Sequence, residues 1–297
     1  MRRSFELGET RGGMRPQSQT NRLLGYPADA RLLIINADDF GMCHGVNAAI
    51  TGALKAGLVR STSVMVPCPW YLHASRFLAG HPEVPFAVHL TAIGDGADYR
   101  WGPVLACERV PSLVGSGRYF FDFDHMAGFL AHVDLGELEG EFRAQIEAVL
   151  AAGLRPTHLD WHSLRIAGRP DIFNVMFRLA REYRLALRAA YRALAEPLQR
   201  QGFPTTDHEL LDSYGLDAAS KPATYASLLR ELPAGLSEWA VHPGVDTPEL
   251  LAIEPASNRT RQADTGFLTS QQAKEIIRQE GIILLDYRPL QAVWKAT

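Results

Sequence analysis

The segment RLLIINADDFG, residues 31–41, joins a short apolar run to two adjacent carboxylates and a glycine. Residues 32–35 are four apolar side chains without alternation, which is typical of a strand buried on both faces. Asp38 and Asp39 follow where that strand is predicted to end. Ligands bind at the carboxyl ends of strands in parallel α/β proteins, so this pair is a candidate site. A helix cap beside a solvated carboxylate explains the segment equally well when it is taken alone.

Predicted strands and helices alternate along the rest of the chain. Helices are predicted over 44–56, 70–80, 134–152, 171–184, 223–231 and 270–280, and strands over 61–66, 84–90, 156–162, 185–190, 236–241 and 281–287. Residues 91–124 read as a long loop and 196–221 as irregular. The alternation predicts an α/β, single-domain (β/α) barrel-like fold of the distorted TIM-barrel type with mostly parallel strands. An open doubly wound sheet is the alternative.

Composition sets the class of protein. The chain has 297 residues, is 46% hydrophobic and carries a formal net charge of −3, which gives no general basic surface for nucleic acid or an anionic membrane. Three well-separated cysteines indicate a reducing compartment, and we expect a cytoplasmic protein. No apolar run approaches the roughly 20 residues of a membrane span. We predict one domain over residues 21–297 after a flexible N-terminal extension, residues 1–20.

Acidic and imidazole side chains recur where predicted strands end. Because the carboxyl ends of parallel strands lie at one end of a barrel, side chains far apart in sequence are expected to meet there. Four separate strands contribute, and the residues are Asp38, Asp39, His89, His158, Asp160, His162 and His242.

Two histidines and one aspartate with open positions form a common divalent-metal site, suited to Zn, Co, Fe, Mn or, less comfortably, Mg. Such a site supports hydrolysis, because the ion lowers the pKa of a bound water and polarises a carbonyl oxygen. The second aspartate of the pair is then a candidate base and His242 a candidate acid.

Each of these residues also has a structural alternative. His89 fits a hydrogen-bonded core histidine, and His242 fits simple turn chemistry before Pro-Gly. His158 and His162 lie four apart on a strand and face one side, as two ligands or as one ligand and a supporting residue. Asp160 has the same parity and is placed to orient a ligand imidazole through its other nitrogen.

The order NADDFG, VHL, PTHLDWH and VHPG resembles the YdjC-like carbohydrate deacetylases (the ChbG family). The similarity extends to GVNAAITGALKAGLVRSTSVMV, to WGPVL and VPSLVGSGRYFF, and to FLTSQQAKEIIRQEGIILLDYR, and runs from about residue 21 to the end. The resemblance implies a barrel-like (β/α) fold and removal of an N-acetyl group from an acetylated amino sugar or oligosaccharide. It also suggests a homodimer.

Site roles follow from the same resemblance. Asp39, His89 and His162 would hold one divalent ion, with Mg or Zn as the leading choices. Asp38 would be the general base, and His242 the acid that protonates the departing amine. Adjacent residues of a regular strand point to opposite faces, so the two aspartates share a site only if the backbone turns there.

The chain departs from the family beside His162. Many relatives carry DSHHHVH where this chain reads DWHSLRI. The departure weakens the match to chitin disaccharides and makes Trp161 and Arg165 candidates to line a different sugar pocket. Trp70 and Trp101 are further candidates for stacking on a pyranose ring, with plain packing as the alternative.

Overall fold

The computed structural model of the protein describes residues 18–96 and 98–297. The described residues form eight strands: β1 (Arg31–Phe40), β2 (Ser61–Val64), β3 (Phe86–Leu90), β4 (His158–Trp161), β5 (Ala186–Leu187), β6 (Leu211–Asp212), β7 (Gly235–Val241) and β8 (Ile283–Leu285). They also form twelve α-helices: α1 (Gln19–Leu24), α2 (His44–Ala56), α3 (Tyr71–Gly80), α4 (Met126–His132), α5 (Leu135–Ala151), α6 (Pro170–Tyr183), α7 (Arg192–Arg200), α8 (Lys221–Arg230), α9 (Pro248–Ile253), α10 (Asn258–Leu268), α11 (Gln271–Gln279) and α12 (Arg288–Ala296).

All eight strands belong to one parallel sheet that curls into a partial barrel. The strand order is β5-β4-β3-β2-β1-β7-β6, and β8 pairs with the first half of β1. Helices surround the sheet, so the predicted α/β barrel-like fold is confirmed. Every pair of neighbouring strands is parallel, and the carboxyl ends of the strands therefore lie at one end of the barrel.

β1 is the central strand, and it continues through the aspartate pair instead of ending before it. Its apolar residues 32–35 are fully buried, as their unbroken run predicts. The pairing with β2 shifts register between Ala37 and Phe40, and Asp39 has a φ of 72°, which is rare for a residue with a side chain. This bulge supplies the backbone turn that the adjacent aspartates need in order to face one site.

Gly41 completes the turn at the end of β1. Its φ is 106°, and a Cβ there would lie 3.1 Å from the Met65 carbonyl oxygen and 3.2 Å from the Tyr71 Cα. A side chain would therefore be strained by backbone conformation and by contact, which explains the glycine after NADDF.

Most helix boundaries lie within two residues of their prediction, and two caps have the predicted form. Asp134 accepts from the Gly136 and Glu137 amides at the start of α5, and Ser270 accepts from the Ala273 amide at the start of α11. The segment predicted to be irregular instead contains part of α7, with β6 and a 3-10 turn over Ser213–Gly215.

Only the last three residues of the predicted N-terminal extension lie within the described residues. Residues 1–17 of the predicted flexible extension lie outside the described residues. Residues 18–20, however, belong to the domain: Ser18 caps α1, and the buried Thr20 hydroxyl donates to the Thr205 carbonyl. Among residues 18–96 and 98–297, no helix combines the length and apolar character needed to cross a bilayer.

Candidate active site

A cavity of about 550 Å³ opens at the carboxyl ends of the strands. Its size suits a small-molecule ligand, for which pockets span roughly 300–1,000 Å³. Its walls include the five residues to which the sequence assigns a catalytic or metal-binding role, namely Asp38, Asp39, His89, His162 and His242. Residues from β1, β3, β7 and the end of β4 therefore meet around one space.

Asp39, His89 and His162 form the innermost cluster, and one ligand atom from each lies within 4.8 Å of the others. The Asp39 Oδ1 atom lies 3.6 Å from His89 Nε2 and 3.2 Å from His162 Nδ1. All three side chains are buried. A carboxylate with two imidazoles is a donor set that divalent metal ions commonly bind.

Two other carboxylates hold the outer nitrogens of these imidazoles. Asp160 lies 2.8 Å from His89 Nδ1, and Asp95 lies 2.7 Å from His162 Nε2. A carboxylate accepts a hydrogen bond, so each outer nitrogen donates. Each inner nitrogen faces Asp39 Oδ1 either with a second ring proton or, when the ring is neutral, with a lone pair that a metal ion can accept. Outer carboxylates of this kind are typical partners of metal-bound histidines.

The same carboxylates favour positive charge in this cluster. Burial alone would lower the pKa of His89, but Asp160 and Asp39 outweigh it and raise the pKa to about 9. Burial likewise opposes charge on His162, whereas Asp95 and Asp39 raise its pKa to about 10.

Arg188 occupies the floor of the cavity beside a second acidic cluster. Its guanidinium binds both oxygens of Asp38, at 2.7 and 3.0 Å, and lies 3.1 Å from Asp160 Oδ2 and 2.8 Å from Glu238 Oε1. Asp38, His89 and Asp160 also have the spacing of a metal site. Arg188 already supplies the cation for those carboxylates, however, so the Asp39 cluster is the one open to an ion.

Arg261, from α10, performs a similar task for Asp39. Its Nη2 atom lies 2.8 Å from Asp39 Oδ2, and the guanidinium also donates to Glu254 at 2.7 and 3.1 Å. Burial raises the pKa of Asp39, but Arg261 and the two imidazoles outweigh it and hold the pKa well below its ordinary value. Asp39 is therefore ionised, with Oδ1 directed at the histidines.

His242 follows β7 and carries the remaining titratable ring of the predicted site. Its Nδ1 atom lies 2.8 Å from the Ser213 hydroxyl, and its ring stacks at a tilt on Tyr214 with centroids 4.4 Å apart. The turn after His242 approaches α10 closely: a Cβ on Gly244 would lie 2.7 Å from Leu250 and 2.9 Å from Arg261. This close approach explains the glycine of VHPG.

Comparison with known proteins identifies the family. The family model described as YdjC-like protein matches residues 32–279. The chain belongs to the YdjC-like family.

Relatives of the chain match it over nearly their whole length. A protein of Enterococcus faecalis named carbohydrate deacetylase is 35% identical over 268 residues, covering 87% of this chain and 97% of the relative. A protein of the same name from Geobacillus stearothermophilus is 32% identical and has the same coverage of both chains. A crystal structure from Enterococcus faecalis, titled a putative cellobiose-phosphate cleavage protein, has a TM-score of 0.76 at 32% identity and covers 88% of this chain and 99% of its own. The family resemblance expected from the sequence is confirmed.

The remaining predicted residues near the cavity of this YdjC-like protein fall into two groups, those that line the cavity and those that pack behind its lining. Trp161 and Arg165 line the cavity, and the Arg165 guanidinium lies 4.4 Å from the Phe123 ring centroid. Asp160 lies behind His89. Trp101 is buried, its ring makes an edge-to-face contact with His162 at 5.8 Å between centroids, and it is not among the residues that line the cavity.

His158 and Trp70 are placed away from the cavity. The His158 ring stacks on Tyr287 with centroids 3.5 Å apart, is fully buried, and has its pKa lowered to about 3 by that burial. It is therefore a core residue, and the described groups with the spacing of a metal site contain His89 and His162 but not His158. Trp70 donates from Nε1 to Glu249 at 2.9 Å, at the outer surface of α2 and α9.

Several residues of the site were missed from the sequence. Arg188 follows β5 in the predicted strand 185–190, and its place at a strand end is the sequence signal that could have identified it. Arg261 and Asp264 lie on α10, which was not predicted. The buried face of that helix carries polar side chains, so it has no apolar stripe for periodicity to detect.

Proposed function

We propose that this YdjC-like protein is a metal-dependent carbohydrate deacetylase, which removes an N-acetyl group from an acetylated amino sugar or oligosaccharide. The observation that carries the proposal is the cavity itself: a buried Asp-His-His cluster, a second carboxylate and a histidine surround one ligand-sized space. The relatives named carbohydrate deacetylase support the choice of substrate class.

The residues present fit a divalent ion held by Asp39, His89 and His162. The fit rests on the inner nitrogens of the two imidazoles, which face Asp39 Oδ1 and would replace their protons by the ion, while Asp160 and Asp95 hold the outer nitrogens. When bound, such an ion activates a water molecule and polarises the amide carbonyl. Zn suits this mixed donor set well, and Mg is the second candidate.

The two aspartates are assigned different roles because their oxygens have different partners. Asp39 keeps Oδ1 directed at both histidines, which supports its role as the ligand. Asp38 borders the cavity with both oxygens held by Arg188, an arrangement that orients the carboxylate. We assign Asp38 as the base that takes a proton from the water as the water oxygen bonds to the carbonyl carbon.

His242 is assigned as the acid that completes the reaction. As the bond between the carbonyl carbon and nitrogen breaks, His242 donates a proton to the departing amine, and acetate is the second product. Its position on the cavity wall, with Nδ1 already engaged by Ser213, leaves Nε2 as the atom that can serve the substrate.

The test combines metal analysis with acetate release. Purified protein, dialysed and then loaded with Zn²⁺ or Mg²⁺, is expected to bind about one ion per chain and to release acetate from one member of a panel of N-acetylated mono- and oligosaccharides. His242→Gln should abolish turnover while leaving metal content unchanged, and Asp29→Asn, at an exposed position, serves as the matched control.

Two other results would replace the proposal. Sugar binding by calorimetry without acetate release across the panel would indicate a diverged sugar-binding protein that retains the fold and metal. Release of acetate from a non-sugar amide, but from no sugar, would indicate a metal hydrolase of a different substrate class.

A further inference from the structure

A buried polar network lies behind His242. Asp264 of α10 accepts four hydrogen bonds: Lys221 Nζ at 2.8 Å and Tyr225 Oη at 2.7 Å on Oδ1, and Ser213 Oγ at 2.7 Å and the His242 amide at 2.9 Å on Oδ2. Asp264, Lys221, Tyr225 and Ser213 are all fully buried. Burying an ion pair this completely carries a large desolvation penalty, which indicates that the network has a role besides stability.

The direction of each hydrogen bond in this network can be deduced. A carboxylate only accepts, so the single Ser213 hydroxyl proton points to Asp264 Oδ2. Ser213 Oγ also lies 2.8 Å from His242 Nδ1, and with its proton already committed it can only accept there. His242 Nδ1 must therefore carry a proton.

We propose that Ser213 is a positioning residue that relays the charge of Asp264 to His242 and fixes the imidazole in the Nδ1–H tautomer. The chain places it there because β6 pairs with β7, with Asp212 opposite Ala240, so Ser213 emerges from the sheet beside the end of β7. Lys221 and Tyr225 hold Oδ1 of Asp264, and this leaves Oδ2 for Ser213 and for the His242 backbone.

Other groups around the ring do not duplicate this contact. Asp212 Oδ1 lies 3.9 Å from His242 Nδ1, beyond hydrogen-bond distance. The Tyr214 ring contacts the imidazole at a 45° tilt, while its hydroxyl donates to Glu254 at 3.1 Å. Arg261 lies over the Tyr214 ring at 5.4 Å from its centroid and is engaged with Asp39 and Glu254.

The consequence for catalysis rests on the proposed function. An acid that gives a proton to the departing amine must hold that proton on the nitrogen that faces the substrate. With Nδ1–H donated to Ser213, the proton gained and lost during turnover is the one on Nε2. In the opposite tautomer, Nε2 already carries the proton of the neutral ring. Nε2 could then not take up a proton to regenerate the imidazolium acid on the side that faces the substrate.

The tautomer is measured directly by long-range ¹H–¹⁵N correlation spectra of protein labelled with ¹⁵N-histidine, with and without Zn²⁺, at a pH where the neutral ring is observed. The His242 signals are assigned by their loss in His242→Gln. The wild-type spectrum should show the Nδ1–H form, Ser213→Thr should retain it, and Ser213→Ala should move the ring toward the Nε2–H form. Ser75→Ala is the control, because it removes another buried hydroxyl, one that donates to the Leu72 carbonyl at 3.0 Å, far from His242 in the sequence.

Acetate release provides the second measurement. Ser213→Ala is expected to lower kcat by about 10- to 100-fold, with KM changed less than about twofold, and Ser213→Thr should restore most of kcat. A wild-type Nε2–H ring overturns the proposal without any variant, as does a Ser213→Ala protein with unchanged tautomer and kcat. If the wild type releases no acetate, the proposed function fails, while the spectra still decide the role of Ser213.

Discussion

The two neighbouring carboxylates of NADDFG have opposite surroundings. Both oxygens of Asp38 have protein partners, because Arg188 binds each of them and the Asn36 side-chain amide donates to Oδ1 at 2.6 Å. In Asp39 the two oxygens differ, because Arg261 binds Oδ2 while Oδ1 faces the two imidazoles. The bulge in β1 thus gives two identical side chains different surroundings. Asp38 is held in a fixed orientation, and Asp39 presents Oδ1 as a candidate metal ligand.

The two buried arginines also differ in the partners that they bind. Arg188 forms ion pairs with three buried acids, Asp38, Asp160 and Glu238, and lies in the barrel floor. Arg261 joins α10 to the site through one oxygen of Asp39 and through Glu254. The first serves folding regardless of ligand, whereas the second shares its carboxylate with any ion bound beside it.

Exchanging each aspartate for asparagine tests directly whether the two carboxylates have different roles. Asp39→Asn should lose both the bound ion and all acetate release, because it removes the anionic ligand. Asp38→Asn should keep about one ion per chain and lose about 10²- to 10⁴-fold in kcat, the usual contribution of a general base. Elemental analysis after dialysis and acetate assays give both numbers. Equal metal content in the two variants would erase the distinction.

The arginines are predicted to differ in how metal affects their loss. Arg188→Met should lower the free energy of unfolding by about 3–5 kcal/mol, because it leaves buried acids without a cation. Arg261→Met should also destabilise the protein, but saturating Zn²⁺ should recover part of that loss by supplying Asp39 with positive charge. Urea unfolding with Zn²⁺ and with a chelator measures both, and Arg278→Met, on the exposed face of α11, is the control. Identical metal responses in the two variants would contradict the division.

Sequence predicted this site unevenly, and the reasons are physical. Strand ends could be located because the buried strands are unbroken apolar runs, so His89, His162 and His242 were expected near the aspartates. The bulge could not be predicted, because a positive φ at Asp39 follows from pairing with β2 and from the tight approach at Gly41. The α10 residues were hidden because the helix buries Arg261 and Asp264 instead of an apolar stripe.

A smaller effect is expected behind the metal cluster. Asp160→Asn should weaken Zn²⁺ binding by about 10- to 100-fold, because Asp160 fixes the His89 tautomer from its outer nitrogen. Calorimetry with Zn²⁺ measures the change. Asp95→Asn tests the equivalent contact to His162 at a more exposed carboxylate and should have a weaker effect. Unchanged affinity in both variants would show that the outer carboxylates do not orient the ligands.

The smallest effect is expected at Arg165, in the DWHSLRI segment where the chain departs from its family. Its side chain is exposed and its contact with the Phe123 ring contributes only about 0.5–1 kcal/mol. Arg165→Ala should therefore leave unfolding, metal content and kcat nearly unchanged, and should raise KM for a substrate long enough to reach that wall of the cavity. Kinetics on a monosaccharide and a longer oligosaccharide, with Arg178→Ala as a surface control, separate these effects. A loss of kcat or of bound metal would mean that the altered segment acts on the Asp39 cluster itself, through the neighbouring His162, and not on the substrate alone.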